Sequence, residues 1–233
     1  MRRAGSEGGA AGAGGRGGAG GASVAGSAGD AGGEHRFELT GGALCLDLAN
    51  TVDSRPTESR RDFLTTYDDL LSWGTQAGAV TRGEADALRS QARRNPAGAR
   101  RTLAAALRAR EAIFAILSAE AHGVRPPPEA LATLESALPT AFAHLRLRRG
   151  AGGYELAWDD EPHLERVVWP ALRSAAELLT SPDLRLTRVC ASEACDWLFV
   201  DRSRNQSRRW CDMNVCGNRH KVREHYRRQR GAG

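Results

Sequence analysis

The chain has 233 residues, with 33 basic and 28 acidic side chains and a formal charge of +5, a size that accommodates one medium domain and a small module. No apolar run is long enough to cross a bilayer as a helix, which excludes such spans, and no apolar stretch follows Arg2-Arg3, so a cytoplasmic protein without an export signal is expected. The charge is uneven: residues 185–230 hold twelve basic and five acidic side chains while the remainder is near neutral, which favours an anionic partner for the C-terminal part.

In chain order, residues 1–34 include fourteen glycines and no apolar block, the composition of a disordered tail. Ordered structure is expected from residue 35. Phe37 to Gly42 reads as a short strand and turn. The run from Ala43 to Val52 fits either a strand, through Leu44, Leu46 and Leu48, or a helical face, through Cys45, Leu48, Ala49 and Val52. Its polar members Asp47, Asn50, Thr51 and the nearby Arg55 are candidates for a ligand pocket, with helix capping as the alternative role. Cys45 reads as a small buried apolar residue.

Tyr67 to Ala77 predicts a helix closed near Gly78. Thr81-Arg-Gly-Glu84 is a capping box that opens another, to about Arg93. Asn95-Pro96 starts a longer helix that ends before Gly123, and Pro126 to Pro128 precede one around Ala130 to Leu138. Phe142 to Arg148 and Tyr154 to Trp158 flank Gly150-Ala-Gly-Gly153 as a hairpin with alternating apolar faces. Pro162 to Thr180 predicts a helix kinked at Pro170. Ser181-Pro182-Asp183 marks a boundary, and Leu184 to Val189 reads as a strand. His35, His122, His144 and His163 are scattered without metal spacing. The sequence holds no Ser-His-Asp motif and no phosphate loop, so no enzyme is expected.

The strongest pattern is C-terminal. Cys190 and Cys195, then Cys211 and Cys216, form two pairs of equal internal spacing separated by about fifteen residues. Four thiolates so placed suit one tetrahedral structural zinc ion. An odd cysteine count of five and pairs unlike Cys-x-x-Cys speak against disulfides and thiol redox chemistry. Trp197 to Val200 has strand chemistry, residues 201–205 have turn chemistry, and Arg208-Arg209-Trp210 reads as the return strand of a hairpin. A helix is expected over Asn214 to Gln229, with Cys216 in its first turn.

The residues Cys190-x4-Cys195, Trp197-Leu-Phe-Val-Asp201, Ser203-Arg-Asn, Ser207-Arg-Arg-Trp-Cys211-x4-Cys216-Gly-Asn-Arg219 and Lys221-Val-Arg closely resemble the CGNR zinc finger. The run from Ala43 to Val52 resembles the opening of the ABATE domain that precedes it. This resemblance implies a nucleic-acid-binding finger in a bacterial stress-related transcription regulator.

The expected fold is a mainly α domain with small β-hairpins (α+β) over residues 35–181, then a treble-clef-like or ribbon-like finger of knuckle, hairpin and helix over 182–233. In the final helix Val215, Val222 and Tyr226 fall on one side and are expected to pack on the hairpin. Arg219, Arg223, Arg227 and Arg230 form an adjoining stripe, and Lys221 and Arg228 project elsewhere. With Arg208 and Arg209 these are the candidate nucleic-acid contacts. DNA is the expected partner, with dimerisation supplying specificity that one finger lacks. An RNA-binding or protein-binding module is the alternative.

Overall fold

The computed structural model describes residues 35–150 and 152–231, apart from the side chains of Glu224, His225, Arg228 and Arg230. The glycine-rich tail expected over 1–34 lies outside them. Seven helices dominate the described residues: α1 (Leu44–Ala49), α2 (Tyr67–Gln76), α3 (Arg82–Arg94), α4 (Pro96–Ala121), α5 (Pro128–Phe142), α6 (Trp169–Thr180) and α7 (Asn218–Gly231). Three two-stranded antiparallel ribbons accompany them: β1 (Val52–Asp53) with β2 (Arg61–Asp62), β3 (Leu145–Gly150) with β4 (Gly153–Trp158), and β5 (Thr187–Val189) with β6 (Leu198–Val200). The fold is α+β, mainly helical, as the sequence predicts.

Local chemistry sets the helix limits. The Thr66 and Thr81 side chains accept from the Asp69 and Glu84 backbone N–H groups, and those carboxylates reach back, completing capping boxes for α2 and α3. Asn95 caps α4, with Pro96 in its first turn. Gly78, at φ +73°, turns the chain out of α2. The ambiguous run after Ala43 is helical, and buries Cys45, Leu46, Leu48 and Ala49 against α4 and α6. Burial pushes the Cys45 thiol up to about 11, consistent with an inert core residue.

Several expectations need correction. Phe37 to Gly42 is irregular; the Gly41 carbonyl accepts from the Val200 N–H, but Gly42 leaves the extended region at φ +78°. Residues 162–180 are not one kinked helix. A 3-10 turn, Leu164–Val167, comes first, and Pro170 sits in the first turn of α6, where its missing N–H costs nothing. The strand after Pro182 is confined to β5 because Pro182–Leu186 forms a 3-10 turn, opened by the Ser181 hydroxyl accepting from the Asp183 N–H. The β3–β4 hairpin forms, but its Leu147, Tyr154 and Leu156 remain exposed.

One joint positions the C-terminal segment. The Asn50 side chain donates Nδ2–H to the Leu198 carbonyl and accepts the Leu198 N–H on Oδ1, both at 2.9 Å, so its amide acts as a one-residue strand beside β6. The Trp197 indole N–H donates to the Val52 carbonyl at 2.9 Å. Behind this joint, buried Arg110 binds both Asp62 carboxylate oxygens and meets the Thr51 hydroxyl, and Arg55 pairs with Glu111. The Asn50→Ala variant leaves two buried backbone groups of Leu198 without partners, at about 1–3 kcal/mol each. Chemical denaturation should show a loss of about 2–6 kcal/mol; a variant as stable as the parent would remove Asn50 from this role.

Candidate metal centre

The four cysteines expected to hold metal converge. Their sulfurs lie within 4.8 Å of one another, all four residues are buried, and none forms a disulfide. Cys211 Sγ is 3.7 Å from both Cys195 Sγ and Cys216 Sγ. A tetrahedron with Zn–S distances of about 2.3 Å has S–S edges of about 3.8 Å, so the donor set fits one structural zinc ion. Four thiolates fill its coordination shell and leave no position for a reacting water.

Local structure brings the sulfurs together. Cys190 and Cys195 occupy the turn of the β5–β6 hairpin, where the Cys190 N–H donates to the Trp197 carbonyl and Asp196 takes a left-handed conformation at φ +60°. The hairpin is therefore not the expected one: β6 pairs with β5, and Arg208-Arg209-Trp210 forms no strand. Buried Asp201 explains why. Its carboxylate accepts from the Ser203 N–H and hydroxyl and from the Arg208 N–H, coiling residues 201–208 into a loop that carries Cys211 back. Burial alone would raise its pKa, but these hydrogen bonds hold it below the ordinary carboxylate value.

Cys216 belongs to a π-helical turn, Met213–Gly217, immediately before α7 rather than inside it. Asp212 caps this turn through the Asn214 and Val215 N–H groups. Gly217 is buried at the end of this turn; a Cβ there would meet only the exposed, flexible Met213 side chain, 2.5 Å from its Sδ. Asn218 donates to the Asn214 carbonyl. Asn218 of the signature thus ties the turn, and Arg219 remains exposed.

Among the polar candidates, Asp47, Asn50 and Thr51 line one cleft of about 90 Å³ together with His35, Asp53 and Phe63. Its other wall is the finger, through Trp197, Val215, Cys216 and Arg219. Arg55 lies outside it, bound to Glu111 and the Ala49 carbonyl and placed 4.0 Å over the Phe114 ring. The finger wall had no local signal, since about 150 residues separate it from Asp47. Asp47 accepts the Gly41 N–H at 2.8 Å, yet burial pushes its carboxyl up to about 6.

The basic candidates divide. Arg208 folds back, 4.6 Å over the Phe199 ring and hydrogen-bonded to the Cys211 carbonyl, while Arg209 lies 5.4 Å over Trp210. Arg219, Lys221, Arg223 and Arg227 are exposed on α7, with Arg223 3.8 Å from Glu193. The Arg228 and Arg230 side chains lie outside the described residues. Val215 packs on the cysteine cluster as expected, but Val222 and Tyr226 are 54% and 59% exposed rather than packed on the hairpin. His144 and His163, far apart in sequence, lie with their rings 4.1 Å apart.

Cys190→Ser or Cys216→Ser should lower bound zinc by one ion per chain and unfold the finger, read by metal analysis and proteolysis; a fully structured variant lacking that ion would overturn the site. Asp47 binds more protons folded than unfolded between pH 3.8 and about 6, so its contribution to stability falls as pH rises through that window and is lost above it. Asp47→Asn keeps the acceptor for Gly41 and should stabilise the protein near neutral pH by on the order of 1–2 kcal/mol. An unchanged stability-versus-pH curve would refute the assignment.

Comparison with known families agrees with this geometry. The family described as "Putative stress-induced transcription regulator" (ABATE) matches residues 42–182, and the CGNR zinc finger family matches residues 186–229. No curated protein matches the chain. With the first match spanning more than half of its residues and the second covering the cysteine cluster, the chain belongs to the ABATE family and carries a CGNR zinc finger.

Proposed function

We propose that the protein is a DNA-binding transcription regulator, in which the finger contacts duplex DNA through α7 and the helical part senses a small ligand or mediates assembly. The carrying observation is the state of α7. It is fixed at its N-terminus by the cysteine-bearing turn, while Arg219, Lys221, Arg223 and Arg227 stand exposed along it. A cationic helix anchored at one end suits entry into a groove or a run of phosphate contacts. Four thiolates on one zinc ion would leave about −2 at the cluster, so the positive charge resides on the helix and the loop of residues 202–209.

Arg219 lines the cleft and also begins the cationic stripe. A ligand in the cleft would therefore touch a residue of the proposed DNA surface, supporting a sensing role. The cleft, as it stands, suits a small polar molecule rather than a nucleotide-sized one. Exposed Met213, Val222 and Tyr226 favour a second reading, in which the finger docks on a protein or RNA partner or a second copy of the chain. No catalytic step belongs to either reading.

Selection of duplexes from a random pool by the zinc-loaded full chain distinguishes them. An enriched motif is expected. Arg223→Ala with Arg227→Ala should weaken binding and flatten its salt dependence by about 0.9 in log–log slope for each phosphate that the helix no longer neutralises, with zinc retained. Unchanged affinity and slope would remove α7 from the surface, and absence of an enriched motif would favour the second reading.

A further inference from the structure

A second group of metal-binding side chains lies outside the cysteine cluster. His144 follows α5, Asp159 follows β4, and the Asp159 N–H donates to the His144 carbonyl at 2.9 Å, continuing the hairpin ladder one pair beyond Leu145 and Trp158. The turn from Asp159 to Pro162 then delivers His163, just before the 3-10 turn at Leu164. Buried Trp169 is the floor beneath both histidines: the His144 ring stacks on it at 4.3 Å and 7°, and the His163 ring lies 5.5 Å away. One ligating atom from each of His144, Asp159 and His163 lies within 4.8 Å of the other two.

We propose that His144, Asp159 and His163 form a second metal site, for a divalent first-row transition ion such as zinc. Two imidazole nitrogens and a carboxylate oxygen are a donor set that such ions accept. His144 Nδ1 is 3.1 Å from Asp159 Oδ2. This is close to the roughly 3.3 Å edge expected between N and O donors on tetrahedral zinc, so a metal ion can replace the proton that bridges them with little movement. The rings are held by stacking before any ion arrives, which lowers the ordering cost of binding.

The second observation is an orphaned atom. Asp159 Oδ1 is buried without a hydrogen-bond partner among the described residues, in a side chain 13% exposed. An ion held by both oxygens of the carboxylate would satisfy it. Glu161, outside this group of three and largely exposed, lies 3.2 Å from His163 Nε2. The opposing charge is Arg146, which donates to Asp159 Oδ2 at 3.0 Å from a half-exposed position. The bound ion would tie the base of the β3–β4 hairpin to the turn before α6.

The test is zinc stoichiometry of the full chain after equilibrium dialysis at slightly alkaline pH, with the cysteine site loaded. Two ions per chain are expected, and one in the His144→Ala/His163→Ala variant. Should that variant fail to fold, Asp159→Asn, which preserves shape, should lower affinity at the second site at least tenfold. Arg146→Ala should raise that affinity, a direction that general destabilisation does not produce. One ion per chain in the parent at saturating zinc, or two ions retained without both histidines, would overturn the proposal.

Discussion

The two hydrogen bonds between the Asn50 amide and the Leu198 backbone make the helical part and the zinc finger mechanically one object. A primary amide is the side chain that presents a donor and an acceptor in one plane, as a peptide group does, and here it pairs with a strand that has no β-neighbour on that side among the described residues. The alternation of β6 then divides its side chains. Leu198 and Val200 enter the main hydrophobic core, whereas Phe199 faces the cysteine cluster with Trp197. One three-residue strand is thus the shared wall of two cores. Zinc affinity, worth on the order of 10 kcal/mol in small modules, stabilises a strand on which the helical core also depends.

Behind that wall the charges are arranged so that most are paired. Arg110 and Arg55 satisfy Asp62 and Glu111, and the opposing guanidinium charges hold both carboxyls below their usual range despite the burial that works against them. These pairs fix the segment from Thr51 to Asp62 that forms one side of the cleft. Asp47, three residues from Asn50, is the exception: it accepts one backbone N–H, and burial raises its pKa in spite of that hydrogen bond. A carboxyl kept at such a cost beside a cleft is where a ligand donor would gain most from binding, and this supports the sensing role proposed for the helical part.

Much of this was legible in the sequence where the signal is local. The capping box at Thr81, Asn95-Pro96 before α4, and glycines 78 and 123 with positive φ all act within a few residues of where they stand. The cysteine spacing predicted a four-sulfur cluster because coordination geometry is short-ranged. Pairing partners were harder. Arg208 to Trp210 has strand composition, but Asp201 draws that segment into a loop, and β6 finds β5 instead. The same limit hid the convergence of His144, Asp159 and His163, which a hairpin and a turn bring together from across nineteen residues, and the finger wall of the cleft, which no spacing rule reaches.

The cationic helix poses a different question, because its sequence gives it little reason to exist alone. Helices of about 12–15 residues are marginal in water even when rich in alanine, and α7 is a 14-residue run dense in arginine, with Val222 and Tyr226 more than half exposed. Like charges four residues apart, as at Arg219, Arg223 and Arg227, destabilise it further. What holds its first turn is the π-helical segment before it, through the Asp212 cap and, with zinc bound, through Cys216. A zinc ion on Cys216 would therefore fix the start of the helix that the proposed function uses. On this view the metal is structural for the finger and, through the helix it anchors, a condition for the proposed DNA surface.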